Sequence, residues 1–290
     1  MLQTFLATWT AIALAAAPGE SCATGRIPLQ DGWTLQSSVL VKEAGDAIST
    51  AGFNPEQWYA ATVPSTVYCA LRKRGVYPDV RIGLNSFKVP DASDTFNRKH
   101  DLARYSHLPG NRNPWTDPYW YRSVFRLPPL DADQRVWLNF NSINYRAEVW
   151  LNGRNVAGPR NMAGMFQRFC LDVTNEAVAG TNVLAVKVFQ VDHVGEPDAQ
   201  LEVFGRDRGF FKEIMKDMTE VMSIGYDCMA TVPDRNMGIC QEVWVETTGP
   251  VVIRDPFIVA DLPLPKKDQA TLGISAELRN GSARAVGGVL

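Results

Sequence analysis

The sequence predicts an all-β fold, a β-sandwich of jelly-roll type, with a second domain begun near its end. Three observations carry this. Short stretches alternate apolar and polar residues with period two, as half-buried strands do. Turn formers such as Asn152-Gly153 separate them. From Gly249-Pro250 onward the composition shifts to a proline-punctuated run.

In chain order, the first feature is LQTFLATWTAIALAAA at 2–17, uncharged and followed by Pro18-Gly19. It is too short to span a bilayer comfortably, and its alanine-rich end resembles a signal-peptidase site. No Lys or Arg precedes Arg26, so the usual positive n-region is missing. Residues 1–23 are expected to be a signal peptide and the protein secreted or periplasmic. A first domain is expected over 24–250 and a second over 251–290.

Asp31-Gly32 then introduces WTLQSSVLV, a strand that opens in alternation. Residues 91–118 are polar and turn-rich, longer than an ordinary connection. RVWLNF at 135–140 places Val136, Leu138 and Phe140 on one face, and AEVWLNG places Ala147, Val149 and Leu151 together. Asn152-Gly153 suits a type I′ hairpin, because both residues tolerate positive φ. Phe169, Leu171 and Val173 share a face, as do Leu184, Val186 and Val188, with Lys187 opposite. Strands with one apolar face each must bury it against a second sheet.

At 208–222 the period changes. Phe210, Ile214, Met218 and Val221 predict a helix lying against the sandwich, with Glu213, Asp217 and Glu220 on its solvated side. After 250, Pro256, Pro263 and Pro265 suit edges and linkers better than central strands. ATLGISAELRNGS reads as one more strand, and AVGGVL begins another. Two or three strands do not make a stable domain alone, so the second domain is expected to be cut short.

Composition narrows function mainly by exclusion. The 290 residues are 46% hydrophobic and 21% charged, with 29 Lys and Arg against 31 Asp and Glu. A net charge of −2 gives no electrostatic case for nucleic acid or an anionic membrane. The cysteines 22, 69, 170, 228 and 240 form no CxxC pair, so no zinc site or other metal centre is expected. Cys228 and Cys240 are close enough in sequence to bridge, but isolated thiols are the favoured reading. His100, His107 and His193 sit in loop-like contexts. No GxSxG, HExxH or phosphate-cradling glycine loop is present.

An ordered set of motifs points further. VPSTVYCAL, GVYPDVRIGLN, PYWYRSVFRLP, INYRAEVWLNGRNV, EIMKD, IGYDCMATVPDRNMGICQEVWV and GPVVIRDP occur in succession. Over roughly residues 30–290 the chain resembles glycoside hydrolase family two, in the branch of mannosylglycoprotein endo-β-mannosidases and exo-β-glucosaminidases. The resemblance implies a galactose-binding-like jelly roll, then an immunoglobulin-like sandwich, then a (β/α)8 barrel holding two catalytic glutamates. This sequence is expected to stop inside the immunoglobulin-like domain, without the barrel. No catalytic residue is therefore assigned, and no cofactor is implied.

The expected function is the non-catalytic N-terminal portion of a retaining β-glycosidase of β-mannosidase or exo-β-glucosaminidase type. Its expected partners are a carbohydrate of β-mannoside or β-glucosaminide type and the missing barrel. A freestanding carbohydrate-binding module and an inactive structural fragment are the alternatives. The resemblance implies that Asp227 contacts sugar, flanked by Tyr226 and Cys228 where the family carries tryptophans; Cys240 also replaces a tryptophan. Cysteine offers no ring for a sugar face to stack on. Asp234 and Arg235 read as turn residues, the acid accepting from backbone N–H groups and the arginine pairing with an acid. Asn236 shares that turn reading and is also kept with Tyr226 and Asp227 as a sugar-contact candidate.

Overall fold

The computed structural model describes residues 25–195, 217, 219, 232–265 and 268–288. The expected signal peptide, the helix expected at 208–222 apart from Asp217 and Thr219, and Tyr226, Asp227 and Cys228 lie outside these residues. Among the described residues no helix is long and apolar enough to cross a membrane.

The elements run β1 (Arg26–Pro28), β2 (Trp33–Ser37), α1 (Gly45–Ile48), β3 (Tyr59–Ala61), β4 (Ser65–Thr66), α2 (Val67–Lys73) and α3 (Asp94–His100). Then follow β5 (Tyr119–Leu127), β6 (Arg135–Phe140), β7 (Arg146–Leu151), β8 (Arg154–Ala157), β9 (Phe169–Asp172) and β10 (Gly180–Phe189). The last are β11 (Gly238–Ile239), β12 (Val243–Thr248), β13 (Val251–Asp261) and β14 (Thr271–Asn280). One sheet has six strands in the order β3-β2-β5-β10-β7-β8, and a second has four in the order β1-β12-β6-β9. The described residues divide into two compact units, one drawn from 27–130 and 137–245 and the other from 25–26, 131–136 and 246–288.

Within the larger unit the alternation works as expected. Leu184 sits opposite Leu151 and Ser123, and Val186 opposite Val149 and Tyr121. All but Ser123 of these residues are fully shielded from solvent. Asn152 and Gly153 turn the β7–β8 hairpin with φ of 51° and 84°, the positive values expected there.

The six-stranded sheet is covered on its other face as well, which period-two reading did not anticipate. Trp120 and Ala185 pack with Ile48, and Val41, Phe53, Trp58 and Trp150 surround that cluster. Arg122 is buried on this face, where its guanidinium donates to the carbonyls of Ile48 and Thr50, both at 3.0 Å. Gly45 permits the close approach: a Cβ there would meet the Trp150 indole at 2.3 Å. Lys187 spreads its ammonium over Trp120 and Phe189.

Two expectations need correction. Residues 91–118 are not one long loop, because Ser93 caps α3 by accepting from the Phe96 N–H, and Asn97 and Trp115 are buried. Asp217 is not solvated. It is buried, and its Oδ2 accepts from the His193 backbone N–H at 2.8 Å.

In the smaller unit β13 and β14 form an antiparallel hairpin whose register shifts between Arg254 and Phe257. The shift absorbs Pro256, which has no N–H for the ladder, and Asp255 takes φ of 47° beside it. The hairpin is well formed but exposed, with Ile253, Phe257, Ile258, Leu272 and Ile274 all open to solvent.

Candidate functional site: the Asp234–Gly238 turn and its cleft

The segment Asp234-Arg235-Asn236-Met237-Gly238 is short of regular structure and rich in unusual backbone. Arg235 and Asn236 take φ of 49° and 59°, both left-handed, and the turn closes through Met237 N–H to the Asp234 carbonyl at 2.9 Å. Gly238 has φ of 153°, and a Cβ there would lie 2.6 Å from the Thr66 Cα. Only glycine allows β11 to lie so close to β4, where Gly238 pairs with Thr66 and Ile239 with Ser65.

This contact places the turn over the start of α2. A helix begins with backbone N–H groups that lack intrahelical partners. Here Val67 N–H donates to the Met237 carbonyl at 2.8 Å, Tyr68 N–H to Asp234 Oδ2 at 2.7 Å, and Cys69 N–H to Thr66 Oγ1 at 3.2 Å. Asp234 Oδ1 also accepts from Asn236 N–H. Burial pushes the Asp234 carboxyl up to about 6, against the opposing pull of those N–H donors.

Arg235 is the second anchor. It is 1% exposed, and its guanidinium grips Asp91 through both nitrogens, at 2.6 and 2.8 Å. It donates further to the carbonyls of Val194 and Val232. Asp91 in turn accepts from Ser93 N–H, and its carbonyl takes the Asn97 and Asn113 amides. Asn144 ties in the strand side: its amide donates to the Arg235 carbonyl, and Thr219 Oγ1 donates to its Oδ1. The turn reading of Asp234 and Arg235 therefore holds, at a deeply buried junction rather than a surface loop.

Asn236 differs from its neighbours. It is only partly buried, and among the described residues its side-chain amide makes no hydrogen bond. It faces a cleft of about 410 Å³, within the size range of small-molecule sites. Pro64, Ser65 and Thr66 form one side, and Cys69, Arg72 and Lys73 project from α2. Met165 and Cys240 complete it. Cys240 Sγ donates to the Asn236 carbonyl at 3.3 Å, and burial pushes its thiol up to about 12, so it stays protonated. Cys69 and Cys240 are free thiols.

Chemically this cleft is a hydrogen-bonding surface. An amide offers two donors and one acceptor, a match for vicinal hydroxyls. Among the described residues no carboxylate lines it. Of the three sequence-proposed contacts, Asn236 is placed at the cleft, while Tyr226 and Asp227 fall outside the described residues. Arg72, Lys73 and Cys69 were not singled out from sequence. Their available signal was VPST ahead of an apolar helix, with Thr66 as its cap.

Residues 111–204 match the family described as glycosyl hydrolase 2 galactose-binding domain-like. The exo-β-D-glucosaminidase of Streptomyces avermitilis is 28% identical over 267 residues, 92% of this chain and 24% of that protein. The mannosylglycoprotein endo-β-mannosidase of Lilium longiflorum is 33% identical over 263 residues, 89% of this chain and 25% of that protein. Among solved structures, the exo-chitosanase CsxA of Amycolatopsis orientalis superposes with a TM-score of 0.67 at 28% identity, over 89% of this chain and 25% of that one. The chain spans about a quarter of the length of these relatives.

Proposed function

The chain carries a galactose-binding-like domain of glycoside hydrolase family two, and from that premise we propose that it is the sugar-contacting, non-catalytic portion of a β-glycosidase. The glycosidase is of β-mannosidase or exo-β-glucosaminidase type, exported, with its catalytic glutamates supplied by a barrel. The observation that carries this reading is Asn236, held on a tight turn at the rim of a cleft of about 410 Å³ with a side-chain amide that no described residue engages. The same reading keeps Asp227 and Tyr226, which lie outside the described residues, as further proposed sugar contacts, the carboxylate accepting from sugar hydroxyls. Hydrogen bonds to a charged acceptor contribute about 1.5–3 kcal/mol each.

A titration of the isotopically labelled chain with methyl β-mannoside and methyl β-glucosaminide tests this. Amide shifts at Thr66, Cys69 and Asn236 with millimolar affinity are expected, weakened about tenfold or more by Asp227→Ala. Absence of shifts at these positions up to the solubility limit of both glycosides would refute sugar contact here.

A further inference from the structure

Three large apolar side chains project from one tightly held segment of the larger unit. Over 79–88 the chain folds on itself: Ile82 N–H donates to the Asp79 carbonyl, Asn85 N–H to that of Ile82, and Phe87 N–H to that of Leu84, each at 3.1 Å. The Asn85 side-chain amide donates to the Asp79 carbonyl as well, and Asp79 Oδ1 accepts from Arg81 N–H at 3.0 Å. So held, Ile82, Leu84 and Phe87 are 65%, 75% and 45% exposed. Beside them Phe87 joins Val80, Val89, Phe96 and Pro233 around a socket of about 130 Å³. Cavities of about 150 Å³ accept a benzene-sized group. Polar bonds that fix a shape, with apolar residues turned outward around a pocket, make an interaction surface rather than a core.

We propose that Ile82, Leu84, Phe87 and the socket beside them dock the catalytic barrel of the same polypeptide, which seats an apolar side chain between Phe87 and Phe96. The inference rests on the proposed function, in which a barrel supplies the catalytic glutamates, and it names the surface that receives that barrel. This chain spans about a quarter of the length of its relatives, which leaves about three-quarters of such a polypeptide to be seated. The segment also adjoins the sugar cleft, because Arg72 in the cleft wall donates to Asp79 Oδ2 at 3.3 Å. A body docked here stands beside the sugar that its glutamates would cleave. A second copy of this chain fits less well. Three such side chains expose on the order of a few hundred Å², short of the ~800 Å² per partner that a standard stable interface buries. A tethered domain needs less, because its effective concentration is about millimolar.

The test compares the 290-residue chain with the polypeptide of the full reading frame by hydroxyl-radical labelling and mass spectrometry. Ile82, Leu84 and Phe87 should be readily oxidised in the shorter chain and roughly tenfold less in the longer one. The exposed Leu40 should react equally in both. The double variant Ile82→Asp, Leu84→Asp should leave the urea midpoint and methyl β-mannoside affinity of the 290-residue chain unchanged, since both side chains already face water. In the longer polypeptide it should restore oxidation of Phe87. It should also lower hydrolysis of nitrophenyl β-mannoside or β-glucosaminide by about tenfold or more.

Equal oxidation of the three residues in both polypeptides overturns the docking inference and leaves the barrel and the sugar contact standing. Protection already present in the 290-residue chain overturns it as well. If that protection is lost on dilution, the surface belongs to a second copy; if it persists, the chain itself covers the surface. A reading frame that stops at Leu290 overturns the barrel reading and this inference together.

Discussion

The strand Gly180–Phe189 and the hairpin Val251–Asn280 are built from similar residues yet end in opposite environments. Leu184, Val186 and Val188 are fully buried, whereas Ile253, Phe257 and Ile258 are each more than half exposed. Both are hydrogen-bonded antiparallel strands, the hairpin with a break in its ladder between Arg254 and Phe257. The first strand has a paired neighbour on each edge and packing on both faces; the second has one partner strand and little packing. Apolar alternation thus specifies a strand, while stability depends on what covers it. An isolated two-stranded sheet is marginal in water.

The largest expected effect tests whether the buried polar junction belongs with the stable region. Arg235→Ala leaves Asp91 charged, buried and unpaired, and should destabilise the chain by about 3–5 kcal/mol, read as a fall in the urea midpoint. A loss below about 1 kcal/mol would mean that water reaches Asp91 in the folded protein.

The hydrophobic comparison follows directly. Leu184→Ala should cost about 2–5 kcal/mol, and Ile258→Ala less than about 0.5 kcal/mol, in the same denaturation assay. Hydrogen exchange should agree, with slow amides at Val136–Phe140 and Leu184–Val188 and fast ones through 251–280. Equal protection in both regions would show that the hairpin is covered.

These contrasts also explain what could be read from sequence. The faces of 136–140, 147–151 and 184–188 were legible because period two and the Asn152-Gly153 turn act locally. The burial of Arg122 was not, since it depends on carbonyls more than 70 residues away in the chain, at Ile48 and Thr50. Asp217 misled for a similar reason: on a helical wheel it is polar surface, but His193 N–H supplies a distant donor. At the candidate site, the turn chemistry of Asp234 and Arg235 was legible. Asp91 as the arginine's partner, 144 residues away, was not. Nor was the cleft wall formed by Arg72 and Lys73, which exists only because Gly238 lets β11 press against β4.

A pH experiment sharpens the comparison inside the larger unit. His107 is half-buried against Tyr77 and Tyr119, and desolvation lowers it from about 6.5 to about 4. The folded state therefore disfavours its charge, and this contribution to stability is lost as pH falls from 6.5 towards 4. Asp234 acts oppositely. Its folded value near 6 lies above the ordinary 3.8, so its contribution diminishes as pH rises from about 4 to 6. The two offset each other across that window. His107→Gln should therefore give a variant whose stability declines more steeply from pH 4 to 6, measured by urea midpoints. An unchanged slope would mean that His107 is solvated in the folded protein.

The smallest effect belongs to Asp172, whose carboxylate is exposed and accepts from Thr174 N–H and Oγ1. Asp172→Ala should cost no more than about 1 kcal/mol and leave sugar affinity unchanged, in contrast to Arg235→Ala.

The central claim is that adjacent residues of one turn divide the work, Arg235 holding the structure and Asn236 meeting the ligand. Asn236→Gly tests it most directly, because glycine accepts the left-handed φ of 59° without strain. The measurement is methyl β-mannoside affinity from amide shifts, with the urea midpoint as the fold control. Affinity should fall about tenfold with a midpoint within error of the parent chain. Unchanged affinity in a folded Asn236→Gly variant would contradict the assignment and place the sugar elsewhere.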